Sequence, residues 1–400
     1  MTGGSMSEQE VPPVSIFYRR DGLDPGTALG EVQQGEQPVR RVQDFWLHRD
    51  GEFWLVTRHA DVRRVLADQE TFAMHDPERA PVLPNELLNM DAPEHTRLRH
   101  VLTPEFTGRR IRALEPMIRT LVDELIDAME SRGRTADLMD DFALPLPLGV
   151  ICAMLGVPDP DQGEFHRWSR TTLDLGLPME ERLAAGRETH AYVASLVAEK
   201  RRSPDDGMIG MLVREHGGAV SDSELVGVAE LLLLAGHVTV SNTIGLGVLA
   251  LLSHPEQGDR LRDAPEGDPV IDAAVEELLR YLSVSSTAMA RTARCDTEIG
   301  GVPIKAGEQV VCQLPVANRD PALGAGMDRF DIARTPVSHV TFGYGPHHCL
   351  GAPLARIELR IAVPALLRRL PGLALACPAE DVPYRVNNEV YGLHALPVTW

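Results

Sequence analysis

A mainly α-helical fold with a small β-rich lobe is predicted, and three observations predict it. Apolar residues recur at helical spacing through much of the chain, from Ile111 to Met129, from Leu138 to Leu155, and again between residues 159 and 202. One long run opens with Ser221-Asp222-Ser223-Glu224, the reciprocal Ser/Glu pattern that caps helix N-termini. It continues to about Leu252, and around Leu231-Leu232-Leu233-Leu234-Ala235-Gly236 it is apolar on every side, as a core helix is. Strand-like runs are few: near residue 50, between 302 and 312, and at the C-terminal end.

Taken in order, residues 1–43 read as an irregular segment punctuated by Gly and Pro, and residues 44–400 as a single domain. Asp44-Phe45-Trp46-Leu47-His48 and Phe53-Trp54-Leu55-Val56-Thr57 flank Asp50-Gly51, which predicts a hairpin turning at Asp-Gly. A short helix follows from Ala60 to Leu66, then a loop-like stretch from Phe72 to Asn89. His95 and Arg99, four apart, share one helix face. Two helices are expected between 159 and 202, broken at Gly176–Pro178, and a short one between Pro204 and Gly218. The long apolar helix follows; Glu230, His237 and Asn242 interrupt it, so it is not read as a membrane span. Glu277 and Arg280 are three apart on a later helix, and paired strands surround Gly300-Gly301.

The chain has 400 residues, 44% of them hydrophobic, with no repeat or low-complexity linker to divide it. A net charge of −19 argues against a nucleic-acid partner, which needs a basic surface. Five scattered cysteines (Cys152, Cys295, Cys312, Cys349, Cys377) have neither disulfide nor zinc spacing and suit a reducing cytoplasm. The polar stretch from Met1 to Pro13 shows no signal or anchor pattern, so a soluble cytoplasmic protein with no membrane partner is expected.

One of those cysteines has distinctive surroundings. Phe342-Gly343-Tyr344-Gly345-Pro346-His347-His348-Cys349-Leu350-Gly351 puts Cys349 at the end of a glycine-rich loop and directly before a helix that begins Ala352-Pro353. Free backbone N–H groups and the helix dipole favour a thiolate there, and a single soft sulfur is a suitable ligand for haem iron. This loop resembles the haem-ligand signature of the cytochrome P450 family, Phe-Gly-x-Gly-x-His-x-Cys-x-Gly, at every fixed position. Ala235-Gly236-His237-Val238-Thr239-Val240 resembles the family's oxygen-activating helix segment, and the resemblance runs from the first hairpin to Trp400.

The resemblance implies a long central helix over haem b, with Cys349 as the metal ligand and Phe342 and Gly351 framing it. It implies that His95, Arg99, Arg291 and His347 neutralise the haem propionates. Ala235, Gly236 and Thr239 are then the catalytic segment, Gly236 letting the helix open locally and Thr239 bonding iron-bound oxygen. Glu277, Arg280 and a third residue, assigned to Arg329, form a structural triad behind the loop. The function implied is a monooxygenase that inserts one oxygen atom into an organic substrate, in a secondary-metabolite tailoring step. Electrons would come from a ferredoxin and its reductase, docked on Arg97, Arg109, Arg110, Arg112 and Arg360 of a monomer.

One position departs from the family. Val238 stands where an acid usually helps relay protons, so the proton source must rest on Thr239 and water or on another group. His237, about 200° around an ideal helix from Thr239, is expected to face away from the haem. Two alternatives stay open: a peroxide-driven haem-thiolate oxidase, and a non-enzymatic haem sensor or carrier. The substrate itself is not legible.

Overall fold

A computed structural model of the chain describes residues 15–35, 37–46, 49–74, 87–158, 162–174, 176–288, 290–386 and 388–400. Helix α1 (Thr27–Gln34) and strand β1 (Val39–Trp46) fall inside the stretch read as irregular. The helix lacks a side-chain cap, so local signals miss it; burial of Leu29 and Val32 and two hydrogen bonds from Gln33 to the carbonyls of Thr57 and Val316 hold it. β1 pairs antiparallel with β2 (Arg49–Val56), so the hairpin exists, but its reversal is not at Asp50-Gly51. Asp50 pairs with Phe45 and Gly51 with Asp44, which puts the reversal between Trp46 and Arg49, where residues 47 and 48 lie outside the described residues. The reason is tertiary: β2 is an interior strand whose other edge pairs parallel with β8 (Gln309–Cys312), and the buried Phe53 and Leu55 set its register.

Helix α2 (His59–Ala67) and strand β3 (Phe72–Ala73) follow; residues 75–86 of the expected loop lie outside the described residues. Then come α3 (Glu94–Leu102), α4 (Gly108–Ala113), α5 (Glu115–Arg132), β4 (Thr135–Asp137) and α6 (Pro145–Leu155). Helices α7 (Gln162–Leu173) and α8 (Met179–Arg202) flank the expected break, and α9 (Met208–His216) is the short helix after them.

The capped run forms α10 (Asp222–Leu252), 31 residues long, and both halves of its capping box between Ser221 and Glu224 are made. It passes the length and hydropathy test for a membrane span, but 72% of its most apolar window is buried, packed against α6, α8 and the later helices α12 (Pro269–Leu282) and α14 (Ala352–Arg369). It is the axis of the helical core. Between α10 and α14 lie α11 (Pro255–Asp263), β5 (Arg291–Ala293), the hairpin β6 (Thr297–Ile299) and β7 (Val302–Ile304), β8, and α13 (Leu314–Ala317). The chain ends in β9 (Ala374–Leu375), β10 (Tyr384–Arg385), β11 (Gly392–Leu393) and β12 (Pro397–Thr399).

The β lobe is a sheet in the order β1-β2-β8-β5-β3, with small satellites β4-β12-β9, β10-β11 and β6-β7. Helical core and β lobe meet where α3, β5 and the loop before α14 converge. The predicted class, mainly α with a small β-rich lobe, is the observed one.

Candidate functional site

The loop before α14 is built from tight turns. Gly343 and Gly345 have φ of 70° and 73°, in the left-handed region that glycine adopts without strain. At Gly345 a side chain is also excluded by space, since its Cβ would lie 2.7 Å from the Leu66 carbonyl oxygen of α2. The Cys349 N–H donates to the Phe342 carbonyl at 2.8 Å, which closes the loop and presents the sulfur. Cys349 keeps open surface on one side while protein encloses it on the others. Burial pushes its thiol pKa up, and the Gly351 N–H, Arg99, the Ala352 N–H and Arg356 pull it down without overcoming burial. The helix-start donors expected from the sequence are therefore present, but a bound cation is needed to complete deprotonation.

A network behind the loop, not legible in the sequence, fixes its position. Arg356 on α14 donates to both carboxylate oxygens of Glu276 at 2.6 and 2.9 Å, and its guanidinium lies 4.7 Å from the Phe342 ring centre. His339 Nε2 is 3.2 Å from the same carboxylate. Burial works against ionisation of Glu276, but these hydrogen bonds win and hold its pKa at about 2. Asn318 donates to Ser283 Oγ and Thr341 Oγ1, and its Oδ1 accepts from the Val340 N–H at 2.7 Å.

The triad needs one correction. Arg280 and Glu277 are fully buried and doubly bonded at 2.7 and 2.8 Å, and Arg280 also donates to the carbonyls of Asn318, Met327 and Arg329. The third side chain is Arg334, whose Nε lies 3.3 Å from Glu277; Arg329 contributes a carbonyl oxygen and not its guanidinium. The turn after Arg329 carries residue 334 back over the pair, which spacing alone does not reveal.

On the open side of Cys349, the expected donors come together. His95 on α3 and His347 in the loop stack with ring centres 3.9 Å apart, both largely buried, and neither Nε2 has a hydrogen-bond partner among the described residues. Burial, then His95, Arg291 and Arg99, drive the His347 pKa down to about 3. Arg291 on β5 is 4% exposed, and burial lowers its pKa to about 10. Asp91 is the acid whose charge reaches both His95 and Arg291. The two buried Nε2 atoms are unfavourable until a polar group reaches them. The cluster thus fits the two propionates of a haem, and Cys349 fits its iron. Arg99 is oriented differently from its expected role, donating to the His348 carbonyl beside Cys349.

Along α10, Ala235 is exposed and Thr239 half-exposed within an otherwise buried stretch. Four apart, they mark the helix face that looks onto open space. The helix is regular here and not opened: Thr239 Oγ1 donates to the Ala235 carbonyl at 2.8 Å. Gly236 instead faces α6, where its missing Cβ would lie 3.0 Å from Ile151 Cγ1. His237 is fully buried with Nδ1 2.9 Å from the Leu233 carbonyl oxygen, turned away from the Ala235–Thr239 face as the helical wheel requires. Val238 is buried.

A groove of about 260 Å³ at Cys349 is lined by Arg99, Phe106, His348, Cys349, Leu350 and Arg356. Of the five arginines expected to dock a partner, Arg97 pairs with Glu224, Arg110 with Glu105 and Arg360 with Asp272. Arg109 and Arg112 have no ion pair among the described residues. A larger concavity, about 710 Å³, opens beside Arg109, Met154, Asp205 and Met211 and shares no residue with the Cys349 site. The described cysteines, all five, are free.

The family model for cytochrome P450 matches residues 175–393. The chain is 41% identical over 408 residues to cytochrome P450 165B3 of Amycolatopsis orientalis, covering 99% of this chain and 100% of that one. It is 42% identical over 389 residues to pentalenic acid synthase of Streptomyces avermitilis, covering 94% of each. Among solved structures, P450 StaH from glycopeptide antibiotic A47934 biosynthesis superposes with a TM-score of 0.85 at 45% identity, covering 96% of this chain and 99% of that one.

Proposed function

The chain belongs to the cytochrome P450 family and is a haem-thiolate monooxygenase of secondary-metabolite tailoring, and from that premise we propose how its own residues divide the work. Cys349 would hold the haem iron through its sulfur, and His95, Arg291 and His347 would hold the propionates. The observation that carries this reading is the stacked pair His95 and His347 beside the cysteine loop, whose Nε2 atoms are buried with no hydrogen-bond partner among the described residues. Haem b, when bound, supplies reductive activation of dioxygen and oxygen insertion into an organic substrate. The protein supplies position, polarity and protons. Glu276, Arg356 and Asn318 hold the cysteine loop in place.

Thr239 is the hydroxyl nearest the reacting side of α10, and its proton now lies in a hydrogen bond to Ala235 O. Delivering that proton requires the hydroxyl to rotate off the helix, with water or substrate replacing the lost partner. Val238 carries no proton and His237 faces the core, so Thr239 and water carry the relay.

Electrons arrive from a ferredoxin-type partner at the groove lined by Cys349 and Arg356, and Arg109 and Arg112, which form no ion pair among the described residues, steer its approach. The described residues from 15 to 400 act as one catalytic domain of a cytoplasmic monomer, since α1 and β1 pack into the same body. The test is spectroscopic. The reduced, carbon-monoxide-bound wild type is expected to show the red-shifted Soret band of thiolate ligation, and Cys349→Ala to lose it. A Cys349→Ala protein that keeps the band overturns the assignment.

A further inference from the structure

Four described arginines are buried. Arg280 and Arg319 are bonded to acids and carbonyls: Arg280 to Glu277 and three carbonyl groups, Arg319 to Asp24, Leu23 O and Tyr281 O. Arg291 belongs to the donor cluster beside Cys349. Arg385, on β10, is different. It is 4% exposed, yet its guanidinium makes no hydrogen bond or ion pair among the described residues. Its nitrogens are not sealed off either; each keeps a little open surface, so a small polar group can reach them.

A guanidinium this little exposed and without a protein acceptor is poorly compensated, and a ligand acceptor would complete it. Its charged surroundings deepen the imbalance. Arg170 on α7 and the ring of His394 stand nearby, with Asp174 as the acid on that side. Asp174 Oδ1 accepts from the Gly176 N–H at 2.9 Å and forms no ion pair with Arg385. Burial and Arg170 lower the Arg385 pKa to about 10, so it remains a cation at neutral pH.

The position in the fold relates this cation to the reacting face. Arg385 pairs across the β10–β11 ladder with Gly392, and Gly392 lies against Asn242 of α10. Asn242 is three residues, about 4.5 Å of helix axis, beyond Thr239. The same hairpin bridges Asp174 at the end of α7 through Asn388, and Ser285 through Val390. Arg385 therefore sits where α7, the C-terminal hairpin and α10 meet.

We propose that Arg385 is the anchor of an anion subsite that binds a carboxylate of the organic substrate, holding one end of it while a remote carbon lies over the Thr239 face. This rests on the haem-thiolate reading and adds a substrate class, an organic acid. Arg385→Met replaces the cation by an apolar chain of similar length.

The test uses the haem-loaded protein with sodium acetate and sodium formate as probes, against sodium chloride at equal ionic strength. The wild-type unfolding midpoint is expected to rise by about 2 °C or more in the carboxylates relative to chloride, and Arg385→Met to show no such difference. In chloride alone, Arg385→Met is expected to unfold at the wild-type temperature or above it, because an unpaired buried charge has been removed. A lower midpoint for Arg385→Met in chloride, or equal carboxylate and chloride curves for the wild type, overturns the proposal. The thiolate-type Soret band of Arg385→Met is read in the same samples. Its persistence shows that failure of the subsite leaves the haem reading standing, and its loss from the wild type itself would instead count against that reading.

Discussion

Single side chains here are held by partners distant in sequence, and two of them make sharp tests. Arg334 lies 3.3 Å from the buried Glu277, while Arg329 contributes backbone only. Arg334→Leu should lower stability by about 2–4 kcal/mol, since it strips a cation from a buried carboxylate. Arg329→Leu should stay within about 0.5 kcal/mol of wild type. Denaturant midpoints of both variants check this; equal losses would restore Arg329 to the triad. Glu389 is the second case. Burial raises its pKa from 4.5 to about 7 against the pull of Arg182, 3.2 Å away. The folded protein then holds a proton that the unfolded chain has released. This contribution is complete below pH 4.5, falls away as pH rises from 4.5 to about 7, and is flat above. The side chain is 30% exposed, so solvent screening leaves a loss on the order of 1–2 kcal/mol. Glu389→Gln should flatten that decline, and parallel stability–pH curves for the two proteins would show that Glu389 titrates normally.

At the scale of elements, α10 decides what the site can do, and two of its glycine contacts differ in kind. Gly236 faces the flexible Ile151 side chain, and a Cβ added there would lie 3.0 Å from Ile151 Cγ1, a tight contact that a small shift of the isoleucine relieves. Gly392 on β11 faces Asn242, whose Oδ1 would lie 1.6 Å from a Cβ there. Asn242 cannot move aside cheaply, because it donates to the Val238 carbonyl at 2.8 Å and accepts from the Leu393 N–H at 3.3 Å. Gly392→Ala should therefore destabilise by about 1–3 kcal/mol through overpacking. Gly236→Ala should cost less, because the helix propensity of Ala offsets part of the Ile151 contact by up to about 1 kcal/mol. Thermal unfolding midpoints rank the two. The reverse order would mean that Gly236 is the more constrained contact and that the hairpin yields to Asn242.

Across the whole molecule, the charge of −19 conceals a local contrast. Of the five arginines considered for docking, Arg97, Arg110 and Arg360 are neutralised in pairs, and Arg109 and Arg112 form no ion pair among the described residues. An acidic electron donor must approach against the net field of the chain, so steering depends on these few cations. Electron-transfer rate from a ferredoxin should fall as salt rises through the range where the Debye length shrinks below about 10 Å. The double change Arg109→Glu and Arg112→Glu should slow transfer at low salt by about tenfold and flatten the salt dependence. A wild-type rate indifferent to salt would remove the docking face from this side.

The sequence by itself determined what short range can encode. The cysteine loop, the Ser221–Glu224 cap, the Glu277–Arg280 pair and the Ala235–Thr239 face each lie within about ten residues, where spacing and helical geometry predict contact. That was sufficient for the class of fold and the family. Only the tertiary structure decided the rest. Asp50-Gly51 is a strong local hairpin signal, yet pairing of β2 with β8 on its other edge moves the reversal. Thr239 has two acceptable hydroxyl partners, and packing of an unbroken α10 gives the proton to Ala235 O. Arg334, Glu276 with Arg356, and Asn242 with Gly392 owe their contacts to chain segments far apart in sequence, as does the burial of Arg385 without an ion pair among the described residues. Burial and partners, not residue type, set what a charged side chain does, and both are created only when those segments pack.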